Sequence, residues 1–207
     1  MNTENLEKKK FLDLLRSNTK LLSAILIILI LTGSFFLWLD YNNKNQRVKI
    51  SEEFISAKVF LNNKNLTSSL GILKKIINKK DKIYSPLSLF LIIDNDLESD
   101  KTLVLKYFDT VLSIGGQEKE DLNLLKLKKA YFISENSKEK DLLDLLNPII
   151  NSKSVWRIQS IKFLGDYYFS LKEFKKAGQY YSILLAEENL NIDISEIERK
   201  MKIIKNA

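Results

Sequence analysis

Apolar and polar positions follow two regimes along this chain. Residues 21–39, LLSAILIILILTGSFFLWL, carry no charge, and thirteen of the nineteen are Leu, Ile or Phe. About 20 apolar residues in a helix cross a bilayer core of roughly 30 Å. At about 0.3–0.6 kcal/mol for each large apolar residue, this run favours insertion by about 4–8 kcal/mol. The pattern predicts a transmembrane anchor over residues 21–40, with residues 1–20 as a tail and residues 41–207 as a separate domain. A cleaved signal has a shorter apolar core, about 7–15 residues, and a small-residue cleavage site. Here Phe35, Phe36, Leu37 and Trp38 fill the far end instead, and the chain has no Cys for a lipoprotein signal. The anchor is therefore expected to be retained, with Trp38 and Tyr41 at the membrane interface.

After Tyr41 the pattern changes to apolar residues three and four apart, the mark of amphipathic helices. Ile50, Phe54, Ala57, Phe60 and Leu61 form one such run, Leu66, Leu70, Leu73, Ile76 and Ile77 the next, and Leu87, Phe90 and Leu91 a third. No stretch sustains the period-two alternation of strands. Breaks are expected at residues 62–65, 78–85, 94–100, 113–121, 135–138, 151–154 and 187–193. Ser85-Pro86 predicts an N-cap followed by Pro in the first helical position. Ser195 with Glu198 predicts a capping box ahead of an Ile197, Met201, Ile204 stripe. Pro148 falls inside a predicted helix and is expected to kink or break it.

Short helices joined by short turns suggest an internal repeat near 34 residues. The segment IKFLGDYYFSLKEFKKAGQYYSILL resembles a tetratricopeptide repeat. Leu164-Gly165, Tyr168, Ala177 and Tyr181 stand at its signature positions, while Ile161, Leu184 and Asn189 depart from it. Gly165 and Ala177 lack bulk where two antiparallel helices would cross, and Tyr168 and Tyr181 would fill the gap towards the neighbouring hairpin. Ala57, Phe60, Ser69, Leu73 and Ile76 hold the same frame, as do Ala130, Ile133, Leu142, Leu146 and Ile149. A degenerate unit over residues 86–113 would complete the series. The expected fold is all-α: a single N-terminal transmembrane helix, then an α-solenoid of about four degenerate tetratricopeptide-like hairpins, closed by a capping helix over residues 195–205.

Charge adds an orientation. Lys8, Lys9, Lys10, Arg16 and Lys20 precede the anchor, and only Lys44, Arg47 and Lys49 follow closely. The positive-inside rule then puts the tail in the cytoplasm and the domain outside, in the periplasm of a bacterium. The chain has 33 Lys and Arg against 26 Asp and Glu, net +7, but only four of the basic residues are Arg. Nucleic-acid readers lean on Arg forks, so this excess predicts a solvated surface. With no Cys and no His, disulfides, thiol catalysis, histidine acid–base work and ordinary zinc sites are excluded. The acidic residues lie in Lys-rich runs, with no pair in an apolar setting. No catalytic, cofactor-binding or metal-binding residue is expected, and no small-molecule substrate.

Over nearly its full length the chain is similar to the YfgM-type family of ancillary subunits of the bacterial SecYEG translocon. The similarity lies in FLDLLRSNTKLL running into the anchor, the AKVFLNNKNLTSSLGIL hairpin, and SVWRIQSIKFLGDYYFSLKEFKKAGQYYSILL followed by ISEIERKMKIIKN. It implies a single-pass inner-membrane protein with a periplasmic repeat domain. It also implies partners in the translocon and a membrane-anchored periplasmic chaperone, and a role in assisting secreted or outer-membrane proteins. A coordinator of envelope assembly or cell division would use the same scaffold with other partners. In either role a partner would lie along first-helix positions that point away from the hairpin core. In the last repeat these are Gln159, Lys162, Asp166, Phe169 and Ser170, and in the first Phe54, Lys58 and Leu61.

Overall fold

The computed structural model describes residues 19–187 and 193–206. Among them the chain is all-α, with nine helices packed as consecutive hairpins. They are α1 (Thr19–Asn62), α2 (Leu66–Asn78), α3 (Tyr84–Asp94), α4 (Lys101–Leu112), α5 (Lys119–Ile133), α6 (Glu139–Ile150), α7 (Arg157–Ser170), α8 (Phe174–Leu185) and α9 (Ile194–Lys205). Every helix boundary after α1 falls within a few residues of an expected break, except the turn between α7 and α8 at residues 171–173, which is not among them.

The chain divides into two units, Met1–Glu53 and Phe54–Ala207. In the first, the described side chains of Ile27–Leu31 and Phe35–Trp38 are each more than half exposed. Thr32 satisfies its hydroxyl inside the helix, donating to the Ile28 and Leu29 carbonyls at 2.9 and 3.0 Å. Among the described residues no helix is long and apolar enough to cross a membrane. The side chains of Leu21, Leu22, Ile25 and Leu26, within the expected anchor, and the expected tail through residue 18 lie outside them.

In the second unit the repeat frame coincides with burial. Ala57, Ala130 and Gly165 are buried, as are Ser69, Leu142 and Ala177, then Leu73, Leu146 and Tyr181, then Ile76, Ile149 and Leu184. The degenerate unit joins them through α4, where Val104, Phe108 and Val111 repeat the four-then-three spacing and are buried. Ser69, Val104, Leu142 and Ala177 are separated by 35, 38 and 35 residues. Across the last three hairpins packing follows side-chain size. α7 and α8, with Gly165 at the crossing, pack most closely; α5 and α6, with Ala130, come next; α3 and α4, where Ile92 stands twelve residues before Val104, pack least. At the remaining frame position burial does not follow: Tyr168 is buried, whereas its counterparts Ile133 and Phe60 are half-buried and exposed.

The first and last hairpins share one turn. Lys64 and Lys172, each seven residues after the small position, both have φ of 60°. Lys64 N–H donates to the Leu61 carbonyl and Asn65 N–H to Phe60; in parallel, Lys172 N–H donates to Phe169 and Glu173 N–H to Tyr168. This is the Schellman-like closure of a helix C-terminus, built here without Gly. Between α4 and α5 a Gly does take the left-handed place: Gly116 has φ of 73° within the expected break at residues 113–121.

Three local expectations are corrected. Ser85 does not cap α3. The Asp81 carboxylate accepts the Ile83 and Tyr84 amides at 2.9 and 2.8 Å, and the helix starts at Tyr84. Pro86 still falls among the first four residues, whose N–H groups have no helical acceptor. Ser85 is buried and donates its hydroxyl to the Ile76 carbonyl at 2.9 Å, which also accepts the Lys79 amide at 3.1 Å at the end of α2. Ser195 does not cap α9 either, since Asp193 accepts its amide at 3.0 Å and the helix starts at Ile194. Pro148 does not break α6, which runs on to Ile150. It is exposed in the last turn, where water can reach the carbonyl that the missing N–H leaves open.

These corrections give a paired prediction. Ser85→Ala removes one of the two donors to the Ile76 carbonyl and is expected to cost about 0.5–1 kcal/mol. Ser88→Ala removes a fully buried hydroxyl that has no partner, so it is expected to be neutral or stabilising. Urea unfolding of the two variants checks the opposite signs.

Candidate partner groove

The first helices of successive hairpins, α3, α5 and α7, line two adjoining clefts. One, of about 500 Å³, is bounded by Ile93 and Asp94 on α3, by Leu124, Leu127, Lys128, Tyr131 and Phe132 on α5, and by Trp156 and Gln159 at the start of α7. The other, of about 350 Å³, lies between Tyr131, Ser134 and Glu135 on one side and Phe163, Asp166, Tyr167, Ser170 and Leu171 on the other. Tyr131 belongs to both. Its ring lies 4.3 Å from that of Phe163, centroid to centroid, yet half of the side chain remains exposed.

The walls are held rigidly by polar contacts at their edges. Trp156 Nε1 donates to the Glu120 carbonyl at 3.0 Å. The Glu120 carboxylate accepts the Ser154 hydroxyl at 2.6 Å and the Val155 amide at 3.1 Å. Asn123 Nδ2 donates to Ser154 Oγ at 3.1 Å, closing a partly buried network that fixes the indole. On the α3 side Lys128 pairs with Asp94 at 2.9 Å and lies 5.3 Å above the Phe90 ring.

Asp166 is the most heavily partnered group. It accepts from Lys162 at 2.6 Å, from Lys200 of α9 at 2.7 Å and from the Tyr181 hydroxyl at 2.7 Å. Burial pushes its carboxyl up, but the hydrogen bonds from Lys162, Lys200 and Tyr181 together outweigh it and hold it below the usual 3.8. The Tyr181 phenol is pushed well up by burial and by donating to Asp166. One hairpin earlier, the Tyr168 hydroxyl donates to Glu139 of α6 at 2.6 Å, where Lys176 also binds at 2.8 Å. Tyr168 thus does reach the neighbouring hairpin, whereas Tyr181 lies against Gly165 within its own.

Four ion pairs join residues 34 apart: Lys101–Glu135, Lys128–Asp94, Lys162–Glu196 and Lys200–Asp166. The last two bind α9 to α7 with the same offset that joins α5 to α3. Ile197 is buried, and Met201 and Ile204 pack on the core beside it, so the expected stripe is the packed face of α9.

Of the residues expected to face a partner, Gln159, Asp166 and Ser170 line these clefts. Lys162 stands beside them, engaged with Asp166 and Glu196. Phe169 points elsewhere, packing on Phe174 and Tyr181 under the Lys200 ammonium. Phe54 packs on Tyr84, Leu61 is half-buried and Lys58 is exposed; none of the three lines the groove. The α5 residues were missed, although the frame points to them. Moving Gln159, Lys162, Asp166, Phe169 and Ser170 back by 35 gives Leu124, Leu127, Tyr131, Ser134 and Glu135, every one a lining residue.

The charges along this groove are already paired within the chain, and its open surface is aromatic and aliphatic. Such a surface suits binding of a protein segment through apolar anchors. No family model, curated protein or solved structure matches the chain.

Proposed function

We propose that this chain is a membrane-anchored, tetratricopeptide-like scaffold that binds a protein segment along α3, α5 and α7 at the periplasmic face of the inner membrane. The observation that carries the reading is the 35-residue correspondence of the groove: three positions, Leu124 with Gln159, Tyr131 with Asp166 and Glu135 with Ser170, line it in two successive hairpins, as expected of a repeat surface. In this reading α9 is the capping helix of the solenoid.

The anchor has separate support. Nine large apolar side chains, Ile27–Leu31 and Phe35–Trp38, stand exposed on one stretch of α1. Left in water they would forfeit about 25 cal/mol for each Å² of apolar surface, a loss that lipid removes. Anchoring confines the groove to the membrane plane and raises its effective concentration near membrane partners. The similarity to YfgM-type proteins then makes the SecYEG translocon and a membrane-anchored chaperone the partners, with emerging secreted or outer-membrane proteins as clients.

The test is photo-crosslinking in bacterial membranes. A benzophenone side chain replaces Gln159 in one full-length variant and exposed Lys153, outside the groove, in another. The expected adducts from position 159 are SecY or a periplasmic chaperone, with little from position 153. Division or cell-wall enzymes at position 159 would instead support the envelope-coordinator role, and equal labelling from both positions would sink the groove. A reporter fused after Ala207 is expected to report an external C-terminus.

A further inference from the structure

A second cleft lies between the second helices α4 and α6, with the end of α5 as its floor. Its volume is about 640 Å³. It uses side chains apart from the first-helix groove, Phe132 alone being common to both.

Its position coincides with a break in the repeat. α2 packs directly on α4, but no comparable packing joins α4 to α6 or α6 to α8. The spacing of second helices is 38 residues at this junction and 35 on either side of it. The core divides at the same place: one buried cluster runs from Ala57 to Leu125 and the other from Leu127 to Ile197. α4 and α6 stand apart at this break, and no described residue fills the space between them.

The chemistry of the cleft is one-sided. Leu105, Phe132, Ile133 and Leu145 supply an apolar lining. Of the charged groups, Lys129 is paired with Asp109 at 2.7 Å and Lys101 with Glu135 at 3.4 Å. Asp141 and Asp144, one turn apart on α6, have no cationic partner among the described residues. Asp141 accepts only the Lys138 amide, at 3.3 Å. On a chain of net charge +7 the uncompensated charge of this cleft is negative. The Ser137 hydroxyl in its lining also has no hydrogen-bond partner.

We propose that this cleft is a second docking site, taking a basic amphipathic helix of a partner protein about two turns long. The wall formed by Lys101, Leu105 and Asp109 spans about 12 Å of α4, roughly two turns. Apolar residues of the incoming helix at i and i+4 meet Leu105, Phe132 and Leu145. Lys or Arg side chains three or four residues apart on its flank meet Asp141 and Asp144. An acidic helix of the same hydropathy is rejected by those carboxylates. With both sites filled, the chain joins two partners at once, one along the first helices and one between the second.

The probe is a fluorescent 14-residue helical peptide of Leu and Lys, with Leu at i, i+3, i+4 and i+7, beside the isomer carrying Glu for Lys. Full-length protein is held in nanodiscs of zwitterionic lipid, and empty nanodiscs supply the lipid background. The Lys peptide is expected to bind about tenfold more tightly than the Glu peptide, and Asp144→Lys to weaken it about tenfold. The difference is expected to shrink as salt is raised. Asp144 is exposed, so the variant is expected to keep its fold, which circular dichroism checks. Gln159→Ala, in the first-helix groove, is expected to leave this binding unchanged. Equal binding of the two peptides, no binding of either, or indifference to Asp144→Lys overturns the proposal. Loss of binding in Gln159→Ala alone moves the peptide to the first-helix groove and overturns it too. Because the crosslinking test reads positions 159 and 153, neither of which lines this cleft, either site can fail without the other.

Discussion

Gly165→Val is expected to lower the unfolding free energy by about 3–4 kcal/mol, against a total of about 5–15 kcal/mol for an ordinary domain. A Cβ at residue 165 would stand 2.6 Å from Tyr181 Cε1 and 2.9 Å from Cδ1. The ring has nowhere to swing. Its hydroxyl is tied to Asp166, Phe169 packs beside it, and the Lys200 ammonium lies 5.9 Å from its centroid. Either α7 and α8 separate or the network with α9 breaks. Even Gly165→Ala is expected to destabilise, by about 1–2 kcal/mol, although Ala is intrinsically the better helix former by about 1 kcal/mol. Gly71→Ala is the control of opposite sign. Gly71 is exposed within α2 and nothing lies within 4 Å of its would-be Cβ, so the propensity term acts alone and stabilises by about 1 kcal/mol. Urea midpoints of the three variants decide the matter, and a Gly165→Val protein as stable as wild type would remove the close crossing. Combining Gly165→Val with Tyr181→Ala is expected to cost less than the sum of the two, because one contact is lost only once.

The positions most legible in the sequence were those that packing repeats. The frame at residues 57, 130 and 165 could be read because small and large residues alternate with the geometry of two crossing helices, and burial follows that frame. Helix ends were legible as polar breaks. The residue that closes each end was less so, because several polar side chains compete there. Asp81 and Ser85 both suit the start of α3, and only the chain path shows that the carboxylate takes the amides while the hydroxyl turns back to Ile76. Pro148 illustrates the same limit: proximity to the helix end and exposure decide whether it breaks a helix, and neither is fixed by its residue type.

The second hairpin was obscured for a different reason. Its second helix keeps the four-then-three spacing, but Ile92 stands twelve residues before Val104 where the other hairpins have Ala or Gly. A signature built on small residues misses a hairpin that tolerates looser packing. That looseness, the longer spacing to α6 and the divided core all fall at the junction of the second and third hairpins. The first-helix groove and the cleft between α4 and α6 both open there, so the weakest part of the repeat pattern coincides with the two clefts.

Asp166→Asn is expected to cost about 2 kcal/mol near neutral pH and to flatten the acid side of the stability profile. In the wild type this carboxylate joins three helices: Lys162 on α7, Tyr181 on α8 and Lys200 on α9 all donate to it. An amide in its place still accepts from Tyr181 but leaves two ammonium groups without that anion, and the Lys200 side chain is only 15% exposed. Because folding lowers the Asp166 pKa, its contribution is fully present above the unfolded value, near 3.8, and is lost as pH falls through the lower folded value. Wild type and variant should therefore differ most above about pH 5 and converge towards pH 2. The acid limb does not vanish in the variant, since Glu196, lowered first by its hydrogen bond from Lys200, and Glu139, lowered first by Lys176, still titrate. Chemical denaturation at a series of pH values gives the profile. Amide exchange gives its location: α9, bound through Lys200 and Glu196 beside the buried Ile197, is expected to lose protection before α7 and α8. Parallel curves at every pH, or uniform loss of protection across the three helices, would show that Asp166 does not hold α9 in place.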